Sequence, residues 1–192
     1  MKSYLAPMSI AYLLFDGITL LDFIGVYDPV CRLKSRSHLP DLTWDLCALT
    51  PRIRDSFGLE MAVDKVRPDL AGYDMIIVPG GFGTRALQHD PAFTDWLRTA
   101  APVSRKVSVC TGSLLLGAAG FLAGRRATTH FGEYDALAGY CGTVVRERIV
   151  TDGPVTTAGA VASSLDLGLN LCAELAGEAA AEDIRRSMNY RP

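Results

Sequence analysis

The stretch from Lys106 to Gly124, KVSVCTGSLLLGAAGFLAG, decides the fold. Val107, Ser108 and Val109 close a short buried strand, and Thr111 to Phe121 is an apolar helix rich in Leu, Ala and Gly. Cys110 falls at the junction, with Gly112 close by to permit a sharp turn. A strand that passes straight into a helix at a nucleophilic residue has the form of a nucleophile elbow, which pushes the side chain out at the carboxyl end of a sheet. The first helical N–H groups have no intrahelical partners, and with the positive end of the helix dipole they favour a thiolate over a thiol. The plain alternative is a buried structural cysteine, since unpaired Cys is among the most buried residue types.

Working outward, strands alternate with helices. Ser9 to Phe15 is an apolar strand closed by the turn signal Asp16-Gly17, and Leu20 to Leu33 has apolar residues at helical spacing. Thr43 to Leu49 is a second strand, Arg52 to Val63 a small hairpin around Ser56-Phe57-Gly58, and Tyr73 to Val78 a third strand that stops at Pro79-Gly80-Gly81. Thr84 to Gln88 and Pro91 to Ala101 are helical. Beyond the opening stretch come a strand at Ala127 to Thr129 and a helix at Phe131 to Ala138. Thr143 to Val150 and Val155 to Thr157 form a hairpin about Asp152-Gly153, and helices follow over Val161 to Leu175 and Glu178 to Met188. Such alternation predicts an α/β fold with a parallel sheet covered on both faces.

With 192 residues the chain is expected to form one domain over 1–192, and 49% hydrophobic against 21% charged residues suits a globular protein. A net charge of −2 without a basic block gives no electrostatic case for nucleic acid. Five cysteines (Cys31, Cys47, Cys110, Cys141, Cys172) form no C-x-x-C, and His38, His89 and His130 lie far from them in sequence. Neither a disulfide framework nor a metal site is indicated, which fits a reducing cytoplasm. Met1-Lys2 and the run LAPMSIAYLLF have the outline of a signal peptide but lack a small-residue cleavage site, and no run is apolar enough for a membrane span.

Ligands of open α/β sheets bind beyond the carboxyl ends of the strands, where the strand order switches. Three loops qualify: those after Phe15 and Val78, and the elbow at Cys110. The first carries Asp22 within Leu20-Leu21-Asp22-Phe23, either as the N-cap of the first helix or as a carboxyl beside the sulfur. In the second role, desolvation and a neighbouring negative charge raise its pKa so that it holds a transferable proton near neutral pH. The loop Pro79-Gly80-Gly81-Phe82-Gly83 lacks the partners of a phosphate cradle. Its glycines are expected to bring backbone N–H groups, with that of Thr111, toward a reacting atom, making Gly80, Gly81 and Phe82 candidate substrate contacts. His130 is the histidine nearest the elbow in sequence, either assisting Cys110 or serving a structural purpose.

The run VCTGSLLLGAAGFLAGRRATTH, from Val109 to His130, resembles the core of the ThiJ/PfpI superfamily, which has the class I glutamine amidotransferase-like fold. Leu21-Asp22, the IIVPGG turn, Asp152-Gly153 followed by TTAGAVASSLDLGL, and the closing Asn189-Tyr190-Arg191-Pro192 occur in the family's order, so the likeness covers nearly the whole chain. It implies a three-layer, flavodoxin-like sandwich with a mostly parallel sheet, a homodimer and no cofactor. Cys110 then matches the nucleophile, Asp22 the acid/base carboxylate and Thr111 the residue that tunes the nucleophile, while Gly80 and Gly81 face the site. Protease-, deglycase- and glyoxalase-like relatives usually read C-H-G where this chain has Cys110-Thr111-Gly112. The C-T-G form is shared by isonitrile hydratases and by sensing domains of AraC-type regulators, in which a helix-turn-helix region follows. With a chain that stops at Pro192, no DNA binding in cis is expected.

The hydratase likeness implies a hydro-lyase that converts a small-molecule isocyanide to a formamide through a covalent thioimidate. The alternatives are a catalytically silent sensing domain and a redox or stress protein in which Cys110 is oxidised reversibly. Three departures from the hydratase pattern fall near the site: Val26 in place of a usual Pro, Phe131 in place of a usual Trp, and Thr157-Ala158-Gly159-Ala160 in place of a G-G-G region.

Overall fold

A computed structural model describes residues 8–191. The first seven residues of the signal-peptide outline, and Pro192, lie outside the described residues. The chain runs β1 (Ser9–Leu13), α1 (Leu20–Ser35), β2 (Thr43–Ala48), β3 (Arg52–Arg54), β4 (Glu60–Ala62), β5 (Lys65–Val66), β6 (Met75–Val78), α2 (Thr84–Leu87) and α3 (Pro91–Arg98). It continues through β7 (Arg105–Val109), α4 (Gly112–Ala118), β8 (Arg126–Ala127), α5 (Tyr134–Ala138), β9 (Thr143–Val144), β10 (Ile149–Asp152), β11 (Val155–Ala158), α6 (Ser163–Ala176) and α7 (Glu178–Ser187).

Seven strands form the main sheet in the order β10-β11-β7-β6-β1-β2-β5, parallel throughout except for the β10–β11 hairpin. Buried on both faces, β1 and β6 read as nearly unbroken apolar runs, SIAYL and MIIV. The step from β1 to β2 goes one way along the sheet and the step from β6 to β7 goes the other. Right-handed crossovers in opposite directions put the connecting helices on opposite faces. On one face α1 packs on α6, and α6 on α7; α4 packs with α2, α3 and α5. The switch in direction falls between β1 and β6, so the loops leaving their carboxyl ends part there and open a crevice beside β7. The mostly parallel α/β sandwich is the architecture expected from the sequence.

Several boundaries differ. The helix after Cys110 ends at Ala118 rather than Phe121, because Gly120 takes φ 91° and turns the chain. The strand expected over 143–150 divides: β9 pairs with β8 in a small separate sheet, while β10 joins β11 across the turn at Asp152-Gly153. The N-cap of α1 is Thr19, and Asp22 lies inside the first turn. That excludes Asp22 as the cap and leaves its side chain for other uses.

The contact of α1 with α6 fixes where Asp22 stands. A methyl group on Gly25 would lie 2.0 Å from Ser164 Oγ and 2.7 Å from Ser164 Cβ, so the two helices cross at a distance that admits no side chain. Gly25→Ala is expected to push the helices apart and cost about 1–3 kcal/mol of stability, as overpacked cores do. A shift of the urea midpoint measures it; an unchanged midpoint would show that the crossing tolerates a side chain.

Candidate active site

β7 runs into α4 through Cys110, whose φ of 54° is left-handed and rare for a residue with a side chain. Its N–H is shared between Ala158 O (3.0 Å) at the end of β11 and Gly159 O (2.8 Å) just beyond it. Its carbonyl accepts from Thr129 Oγ1 (3.0 Å) and Ser113 Oγ (3.2 Å). Both peptide groups of the residue are thus clamped, and the backbone holds the side chain at the carboxyl end of the sheet.

Asp22 is fully buried on α1, and Oδ2 accepts from the Gly80 N–H at 3.0 Å while Oδ1 has no partner. A Cβ on Gly80 would lie 2.8 Å from Asp22 Oδ2, 2.8 Å from Cys110 Cβ and 2.6 Å from the Thr111 nitrogen. Glycine is therefore what lets the three loops meet at one point. Thr111 is the other link. Its Oγ1 accepts from the Gly81 N–H (3.0 Å) and sits 3.2 Å from Gly81 O, to which it donates. The N–H groups of Gly80 and Gly81, expected to face a reacting atom, are spent on Asp22 and Thr111: they aim the site instead of lining it with donors.

Burial raises the Asp22 carboxyl to about 6, against the opposing pull of the Gly80 N–H and the Cys110 thiol. The Cys110 thiol is pushed up to about 12, first by burial and then by the Asp22 charge, with the Thr111 N–H and hydroxyl acting the other way. The expectation of a resting thiolate is therefore corrected. α4 has seven residues, too short a dipole to outweigh desolvation beside a carboxylate. Nor does a neighbouring negative charge contribute to the raised carboxyl, because the neighbour is a neutral thiol. The pair holds one proton, which rests on sulfur at neutral pH.

Above Cys110 and Thr111 lies a cavity of about 290 Å³, walled by Phe82, Arg85, His130 and Val161. His130 keeps Nδ1 turned to the Gly132 N–H (3.1 Å) and stacks on exposed Phe131 at 4.2 Å. It is a wall of the cavity and has no hydrogen bond to the sulfur. Arg85 lies 5.0 Å over the Phe82 ring and pairs with Glu133 at 2.5 Å. Arg85, Val161 and the clamping Thr129 escaped the sequence reading. The first two follow the Gly80-Gly81 and Gly159 turns closely, which is the signal that marks them. Among the described residues no cluster of His, Cys, Asp and Glu could hold a metal ion.

A family model described as the DJ-1/PfpI family matches residues 8–174. The chain is 38% identical over 188 residues to the isonitrile hydratase of Pseudomonas putida, covering 96% of this chain and 79% of that protein. It is 32% identical to the HTH-type transcriptional regulator CdhR of Pseudomonas aeruginosa, covering 86% of this chain but 50% of the regulator. Among solved structures, a ThiJ/PfpI family protein from Pseudomonas syringae superposes with a TM-score of 0.86 at 31% identity, covering 98% of this chain and 77% of that one.

The raised carboxyl has a sign that can be tested. A group whose pKa rises on folding contributes stability that is present below its unfolded value, 3.8, and lost as the pH climbs through about 6. Against Asp22→Asn, which stays neutral, the wild type should therefore lose about 2.4 kcal/mol of relative stability between pH 4 and pH 7. Urea titrations of both proteins at the two pH values measure this, and a difference independent of pH would mean that the carboxyl titrates normally.

Proposed function

The chain belongs to the DJ-1/PfpI family, and on that premise we propose that it hydrates isocyanides to N-substituted formamides, with Cys110 as nucleophile and Asp22 as general acid and base. The observation that carries this reading is the meeting of the Cys110 side chain and a buried, proton-accepting carboxyl at Gly80. The extent of the similarity to an isonitrile hydratase supports it.

An isocyanide is neutral, with a terminal carbon that accepts a nucleophile and then needs a proton. As Cys110 Sγ bonds to that carbon, its proton passes to Asp22, whose raised pKa suits it to receive and return it. Asp22 then delivers the proton to the same carbon, leaving the thioimidate R–N=CH–S–Cys110. Asp22 takes a proton from a water molecule as its oxygen adds to the imidate carbon and passes that proton to the nitrogen, giving R–NH–CH(OH)–S–Cys110. Collapse of the adduct breaks the C–S bond as the new hydroxyl becomes the carbonyl, and its proton returns through Asp22 to Cys110 Sγ as R–NH–CHO departs. One water enters per turnover, no electrons are transferred, and no metal or organic cofactor is required. Thr111, fixed by Gly81, offers its N–H to the sulfur as charge develops there. The apolar walls at Phe82 and Val161 receive the substituent R.

The similarity to CdhR favours a second reading, in which the same cavity binds a small molecule without turning it over. A redox role has less support, since peroxides attack thiolates and Cys110 is held as a thiol. All five cysteines are unbridged, which supports a reducing cytoplasm.

Incubated with a simple alkyl isocyanide, the wild type should yield the formamide and show a transient mass adduct on Cys110, and Cys110→Ala should yield none. Asp22→Asn should lose about 10²–10⁴-fold in rate, the usual worth of a positioned acid–base. Equal product from wild type and Cys110→Ala would end the proposed mechanism; saturable binding without product would assign the sensing role.

The functional unit in this reading is a homodimer. Leu21 and Ile24 on α1 are 54% and 42% exposed, and Phe57 and Leu59 at the β3–β4 tip are 90% and 61% exposed. Ser56 Oγ ties that tip to Gly17 O (3.0 Å), beside the start of α1, which supports one continuous apolar face there. Light scattering should give twice the chain mass, and Leu21→Glu with Ile24→Glu should halve it; a wild-type monomer would refute the dimer.

A further inference from the structure

Lys106 stands on β7 near the amino end of the strand, at the far end of the sheet from the candidate active site. It is 5% exposed, an unusual place for a lysine. Its ammonium donates to Val103 O (2.6 Å) and Ala101 O (3.2 Å) and lies 4.9 Å from the centre of the Phe121 ring. Two of its three protons are thereby engaged with neutral groups, and among the described residues no carboxylate pairs with it.

Arg125 lines the same cavity, of about 270 Å³, together with Gly120, Phe121, Pro154 and Val155. Its Nη1 donates to Asp152 O at 3.2 Å, and the Asp152 carboxylate is no nearer than 4.0 Å through Oδ1. The other oxygen of that carboxylate accepts from the Arg126 N–H at 2.8 Å. Two cations thus border one cavity, with one carboxylate, that of Asp152, at the 4.0 Å limit of an ion pair with Arg125 and none on Lys106 among the described residues. Burial, and after it the charge of Arg125, lowers the Lys106 pKa, so each is unfavourable to the ammonium.

We infer that this cavity is a binding site for a small oxyanion, held between the Lys106 ammonium and the Arg125 guanidinium. The planar guanidinium supplies paired N–H donors matched to phosphate or carboxylate oxygens, and the ammonium supplies a buried point charge. The Phe121 ring and the two carbonyls hold the ammonium in place before the ligand arrives, so little ordering is needed on binding. The site lies apart from Cys110 and stands whether or not the chain turns over isocyanides.

Calorimetric titration with inorganic phosphate, and separately with acetate, at constant ionic strength tests this. One saturable site per chain is expected for at least one of the two anions, the tighter naming the class. Lys106→Met and Arg125→Gln should each weaken that anion by about tenfold or more. Arg186→Gln, a surface change elsewhere, should leave it unaltered. If Lys106→Met does not fold, Arg125→Gln carries the test alone, because its side chain is already one-third exposed. No saturable binding of either anion, or equal binding by the wild type and Arg125→Gln (an adventitious ion only), would overturn the inference.

Discussion

The left-handed backbone at Cys110 is the constraint on which the site depends. An L-residue at φ 54° carries a cost of about 1–2 kcal/mol, and the surrounding chain holds it there through hydrogen bonds to both adjoining peptide groups. Ala158 and Gly159 hold the N–H from the end of β11; Thr129 and Ser113 hold the carbonyl from the segment after β8 and from α4. Three pieces of chain, two of them distant from Cys110 in sequence, must be in place before the sulfur can project from the end of β7. The strain is thus stored by the fold as a whole, in the way strained residues at functional sites generally are.

The second requirement is close approach. α1 leaves toward β2 and α2 toward β7, so the loops after β1 and β6 diverge at the sheet's switch point. Gly80 bridges the gap, near enough to Asp22, Cys110 and Thr111 that any side chain would hold them apart. Because the two loop N–H groups go to Asp22 and Thr111, the loop contributes orientation more than binding. One carboxyl oxygen, Oδ1, is left buried without a partner. An acceptor stranded in that way is an energetic liability unless it takes up a proton, which is the physical content of its raised pKa.

Much of this was legible in the residues. Val107 to Gly112 announces the elbow because an apolar strand followed at once by a glycine-bearing helix has few other uses, and the strand–helix alternation announces the parallel sheet. What the sequence hid follows from how local patterns are overridden. β5 is two residues, Lys65 and Val66, whose strand character comes wholly from pairing with β2. The stretch 143–150 looks like one strand because its apolar content is continuous, yet its two ends pair with different partners, β8 and β11. The destination of the Gly80 and Gly81 N–H groups could not be read either, since a glycine pattern tells that a backbone comes close and not what it comes close to. The charge state of Cys110 was misread for a related reason: the helix dipole is visible in sequence, whereas burial is set by elements far away in the chain.

That correction bears on the chemistry proposed for the site. A cysteine held as a thiolate by a helix dipole suits substrates that need a nucleophile alone. Addition to an isocyanide carbon needs a nucleophile and a proton at the same atom, in net a thiol adding across one carbon. A thiol near 12 facing a carboxyl near 6 holds one proton in two adjacent places, and transfer between them leaves the pair's total charge unchanged. The charge separation that burial penalises is thus never created by the first step. In a site where no histidine among the described residues hydrogen-bonds the sulfur, the low polarity that suppresses the free thiolate is what makes a coupled transfer the easier route.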